Sequence, residues 1–318
     1  MRRWGGLVLA GLVLMGLTSA GCGFGSSARD DAAGYAREPG VPRVRSEKDF
    51  PALPLDRYEF SRRDYDRIEE AQARVTQRCM RSYGFDDFPL HPGRAEMATS
   101  FLSVVVSVSP YGMLDLGQAR RWGYGFDPES VEAASDGRGP KGRVPTDREE
   151  SVLHGNGALD GPAEVVRGRE VPEGGCAALG ARRVMGDEKA AQLRGSVAER
   201  VEKLDKAVAK DHRVLRAFRD WSRCVSDKGF ERYESPTHAF HDKAWRKGRE
   251  DSNTARTEKE LGTAVADIEC NRELNTAGVW WAVSDEKQRA DIRADKDRYE
   301  AVRADLDRVR ATARKELG

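Results

Sequence analysis

Neither sign of charge is in excess in this chain: 54 Lys and Arg stand against 53 Asp and Glu, a net charge of +1. That balance removes the basic surplus with which a nucleic-acid binder holds phosphates, so no nucleic-acid partner is expected. No acidic tail takes its place. Motifs of known chemistry are scarce as well. No C-x2-C pair offers a zinc site and no H-E-x-x-H helix offers a metalloprotease site. No glycine-rich loop lies between a strand and a helix to cradle phosphates, and no G-x-S-x-G turn presents a serine nucleophile. Neither a cofactor nor a metal is therefore expected. Long apolar runs are missing too, since the stretch from Leu7 to Leu17 is interrupted by glycines and too short to span a bilayer comfortably. With 39% hydrophobic and 34% charged residues, what remains is a wet chain with a modest core. Its 318 residues suffice for one large domain or two ordinary ones.

What is present begins with an export segment. Met1-Arg2-Arg3 is a positive start, the apolar run follows, and Ser19-Ala20-Gly21-Cys22 closes it with small residues. Cleavage before Cys22 would make residues 1–21 a lipoprotein signal peptide and leave a thiol for diacylation, two acyl chains giving a stable anchor where one is marginal. Ser19 stands where such boxes most often carry leucine, and ordinary cleavage after Thr18-Ser19-Ala20, giving a secreted product, is the alternative. Residues 22–56 are rich in Gly, Ser, Ala, Arg, Asp and Pro, including Pro39, Pro42, Pro51 and Pro54. They read as a flexible tether, with a reach of roughly 30 Å, between the lipid and the folded part.

From there the patterning is helical. Ser61 to Asp64 spells a capping box, and Ile68, Ala71, Val75 and Cys79 recur at helical spacing behind it. The helix should stop at Gly84, with Phe85 packing beyond it. The same ending recurs at Cys224 to Gly229-Phe230, after a stripe of Leu215, Phe218, Trp221 and Val225. Residues 101–108 are rich in β-branched side chains and read as a lone strand, and residues 127 to about 173 as a long surface loop with a short helix near Ser151. Gly174-Gly175-Cys176 opens a helix, Asp187 to Lys210 is another, and Thr257 to Glu260 forms a second capping box. Glu231 to Asn253 reads as a polar loop. From Val279 on, Ile292, Tyr299, Val302, Leu306, Val309 and Ala313 keep a seven-residue repeat, which predicts a long terminal helix with too few heptads to require a homodimer.

With Cys22 set aside as the anchor, four cysteines remain, and four allow three pairings. If each half holds a helix ending Cys-x4-Gly-Phe and a later helix with a second cysteine, the parsimonious choice is Cys79 with Cys176 and Cys224 with Cys270. The fold class that follows is mainly α: a helical bundle of two related helix-pair halves, residues 57–186 and 187–318, each stapled by a disulfide.

The export segment with Cys22, Cys79-Met80 through Gly84-Phe85, Tyr111-Gly112 with Arg120 to Tyr124, Pro172 to Cys176, Phe218 to Phe230 and Ala264 to Cys270 together resemble a family of exported actinobacterial lipoproteins that carry this cysteine set. The resemblance implies helical architecture and location at the outer face of the cell membrane. It brings no activity with it.

Two functions of different class fit. One is a non-enzymatic envelope protein, held at the membrane by its lipid, that binds another envelope protein or a wall polymer. For it the candidate surface is Trp122, Tyr124 and Phe126, aromatics interleaved with glycines that either line a groove or cap the helical core. The other is a cell-wall hydrolase or metal-dependent enzyme built on His154, His238 and Asp242, with His241 beside them. The spacing of His238 and His241 lacks the accompanying carboxylate pattern, and His154-Gly155-Asn156-Gly157 resembles a turn. The first reading is therefore preferred.

Overall fold

The computed structural model describes residues 34–93, 108–129, 142–155, 165–246 and 253–318. The export segment, Cys22 and nearly all of the stretch expected as a strand lie outside them. The described chain is mainly helical: α1 (Arg62–Ser82), α2 (Leu116–Trp122), α3 (Asp147–His154), α4 (Gly175–Met185), α5 (Glu188–Ala209), α6 (His212–Asp227), α7 (Pro236–Phe240), α8 (Lys243–Arg246), α9 (Glu258–Leu274), α10 (Thr276–Ala294) and α11 (Lys296–Leu317). A two-residue hairpin, β1 (Val165–Val166) with β2 (Arg169–Glu170), pairs antiparallel.

Two helix pairs carry the disulfides. Cys79 on α1 is bonded to Cys176 at the start of α4, and Cys224 on α6 to Cys270 on α9, with Cα–Cα distances of 5.6 and 5.8 Å. The sequence separations of 97 and 46 residues put each bridge at about 4 to 5 kcal/mol in the chain-entropy model. The repeated stop is repeated in structure: Gly84 has φ +85° and Gly229 φ +90°. Phe85 N donates to Met80 O and Phe230 N to Val225 O, both at 3.3 Å, the six-to-one bond of a Schellman ending. The halves differ in where the partner cysteine sits, at the first turn of α4 but near the last turn of α9.

α9 is buried on several sides, because α2, α6, α7 and α10 all pack on it. α11 departs from the expected grouping. By sequence it belongs to the second half, yet it lies against α1 and α4 of the first. There Val309 and Ala313 join Ile68, Ala71, Val75 and Val184 in one cluster. Arg183 Nε meets Glu316 Oε1 at 3.1 Å and Arg78 pairs with the same carboxylate. The terminal repeat is also not one continuous helix from Val279: it breaks at Asp295, whose carboxylate is taken by Arg200 and Arg298.

Three further expectations are corrected. Leu215 is exposed, and Val214 and Ala217 fill the apolar face of α6 instead. The 231–253 region is more than a polar loop, since α7 and α8 bring Ala239, Phe240 and Trp245 into the core. Residues 34–56 are a strap rather than a tether. Val44 and Leu55 are buried, Val44 N donates to Asn275 Oδ1 at 3.0 Å, and Asn275 Nδ2 donates to Pro42 O at 3.0 Å. Phe50 and Leu53 are half-buried beside them, so a few apolar residues suffice to seat the strap.

Candidate functional site

The aromatic and glycine segment after α2 is a fastening. Gly123 ends α2 at φ +58°, and a Cβ there would come within 2.6 Å of Glu260 Oε1. The turn drives Tyr124 into the core, where it is fully buried, stacked on Trp245 at 5.4 Å and edge-on to Phe240 at 5.7 Å. Tyr124 Oη donates to Asp267 Oδ2 at 3.1 Å, and Trp221 Nε1 donates to Asp267 Oδ1 at 2.9 Å. Burial pushes the Asp267 carboxyl up to about 7 and the Tyr124 phenol well above its usual range. Glu260 is fully buried as well. Instead of closing the second capping box it accepts from Tyr124 N and Arg256 N at 3.1 and 2.8 Å. Tyr124 is thus no part of an exposed binding surface: a phenol that meets its buried acceptor is more stable inside than out.

Trp122 and Phe126 stay half-buried at the rim. The Arg256 guanidinium lies over the Trp122 ring at 4.9 Å, and Asn253 brackets the Phe126 backbone with two hydrogen bonds. They border a groove of about 450 Å³ whose polar wall carries both signs of charge, Arg121 with Asp115 and Asp127.

The histidines are not gathered. His154 ends α3 and faces Glu150, while His238 on α7 bonds Ser235 Oγ through Nδ1 at 2.7 Å and lies 3.6 Å from Glu234. His241 is edge-on to Phe240, and burial holds its imidazole below the usual range. Asp242 is occupied by Tyr233 Oη and Ala244 N. Among the described residues no group of three or more His, Cys, Asp or Glu is placed to hold a metal ion.

A second groove, of about 430 Å³, is lined by residues of the expected tether, the helix expected from Asp187 to Lys210 and the terminal repeat, together with Tyr111. One wall is the strap, from Glu47 through Phe50 to Leu55 and Glu59; another is α10, with Trp281, Ser284 and Gln288 at spacing that shares a helix face. Tyr111 closes one side and Val201 and Asp205 on α5 the other. Its aromatics are fixed by the fold: Phe50 and Tyr111 have ring centroids 4.9 Å apart, Trp281 Nε1 donates to Pro51 O at 2.8 Å, and Trp280 stacks on Phe218 at 6.1 Å. Gln288 Oε1 accepts from Leu55 N at 3.0 Å and pins the strap. Two features of the sequence could have pointed here: the Trp280-Trp281 pair in a helix otherwise dense in charge, and Phe50, Leu53 and Leu55 among the prolines.

Among the described residues, no helix is long and apolar enough to cross a membrane. Comparison with family models, with curated proteins and with solved structures finds no match.

Proposed function

We propose that this chain is an exported envelope protein, held at the outer face of the membrane by an acylated Cys22, that acts by binding at the groove beside α10 rather than by catalysis. Two disulfides are compatible with an extracytoplasmic location, where thiols are not kept reduced. The observation that carries the binding reading is the groove itself. Four aromatic side chains from three separate segments, Phe50, Tyr111, Trp280 and Trp281, converge on one concavity of ligand size. Aromatic anchors in a preformed hollow supply contact area at little ordering cost. The histidines and acids of the enzymatic alternative are spent on local partners. The resemblance to exported actinobacterial lipoproteins agrees with the location.

Photocrosslinking in intact cells tests the binding. A photoreactive phenylalanine analogue at Phe50 should give a discrete adduct, and the same analogue at Tyr65 on the exposed face of α1 should not. Equal labelling at both positions, or none at Phe50, contradicts the reading.

A further inference from the structure

We propose that the groove beside α10 is a site for a small organic ammonium ion. This rests on the binding reading above and adds the chemistry of the ligand. The lining residues include four carboxylates, Glu47, Asp56, Glu59 and Asp205, and no Lys, Arg or His, although the chain as a whole carries 54 basic against 53 acidic residues. Two of the carboxylates are occupied: Glu47 accepts from Tyr111 Oη at 3.1 Å and Asp56 from Leu53 N at 2.7 Å. The side-chain carboxylates of Glu59 and Asp205 make neither a hydrogen bond nor an ion pair among the described residues. Asp205 is half-buried, and burial alone pushes its carboxyl up, with no counter-charge to offset it. A carboxylate drawn out of water without a cation is unfavourable until one arrives.

An independent observation comes from α10. Ser284 is only 2% exposed, it lines the same groove, and its hydroxyl is buried with no hydrogen-bond partner among the described residues. Folded proteins leave few such groups, and one in a cavity wall is suited to a polar group brought by a ligand. The aromatics complete the recognition, because the electron-rich faces of tryptophan and tyrosine attract an alkylated ammonium. A hard metal ion would need several converging oxygens, and among the described residues no such cluster exists. An organic ammonium needs less: one or two carboxylates, ring faces for its methyl or methylene groups, and a hydroxyl for a polar tail.

Calorimetry on the purified full chain tests this with choline, with spermidine as a polyamine source of the same charge, and with the neutral isostere of choline in which carbon replaces nitrogen. At least one cation should bind, and roughly tenfold more tightly than the isostere. Asp205→Asn should weaken the cation several-fold and leave the isostere unchanged. Ser284→Ala should raise the melting temperature of the free protein while weakening choline, a pairing that a purely structural serine would not give. Equal binding of cation and isostere, or no binding of either cation, overturns the proposal. If the cations fail while the Phe50 adduct still forms, the ligand class is wrong and the binding reading stands; if both fail, both fall.

Discussion

Asp267 shows how much one buried side chain decides. It sits in the middle of α9 and takes the hydroxyl of Tyr124 and the indole of Trp221, so three segments meet on one carboxyl. Tyr124 and Trp221 reach its two oxygens, with the buried Glu260 two turns earlier on its own helix. Since burial lifts its folded value to about 7 from an ordinary 3.8, the folded chain keeps a proton that the unfolded chain releases between those values. The stability it contributes is therefore full below about pH 4 and lost as pH rises through about 7. Asp267→Asn stays neutral and keeps an acceptor for Trp221, so it should lose this slope. Relative to the wild type it should gain roughly 1 to 3 kcal/mol between about pH 5 and about pH 8, read by urea unfolding under oxidising conditions. An unchanged difference across that range would mean that Asp267 is ionised in the fold. Glu149 works in the opposite direction. Arg143 holds it down to about 2, so its contribution is present above the ordinary glutamate range and disappears only as pH falls toward 2.

Among the helices, the two Schellman endings allow a comparison within one molecule. Both glycines sit in the left-handed region, but a Cβ at Gly229 meets nothing within 4 Å, whereas one at Gly84 would fall 1.6 Å from Arg167 Nη1. Gly229→Ala should then cost about 1 kcal/mol, the conformational part alone. Gly84→Ala should cost more, because Arg167 must also leave its place against Gly84 O. Equal losses in denaturant unfolding would show that Arg167 moves aside freely. These endings were legible in the sequence because a glycine stop is a local signal. So were the capping box at Ser61 and Asp64 and the buried stripe of α1. What was not legible is what depends on distant partners. Glu260 looks like a capping residue until Tyr124 N claims it, and the strap looks like linker until Asn275 and Gln288 pin it from more than 200 residues away. The break at Asp295 is invisible in a heptad pattern that continues through it.

At the level of the whole molecule, α11 gives coherence to what the sequence presents as two stapled halves, since it runs from the second half back onto α1 and α4. The same return leaves α10 and α5 to form the groove with the strap, so the candidate site lies between those two helices and the N-terminal strap. Charge is balanced overall and one-sided in that groove, a contrast composition alone conceals. The molecule is stapled by two disulfides, and the proposed function adds export and a lipid at Cys22. The most direct test is non-reducing peptide mapping by mass spectrometry of the protein recovered from the cell envelope. The expected result is an N-terminal peptide that begins at diacylated Cys22, together with Cys79–Cys176 and Cys224–Cys270 linked peptides. An intact N-terminus with free thiols at those four positions, or a crossed Cys79–Cys224 or Cys79–Cys270 peptide, would contradict it.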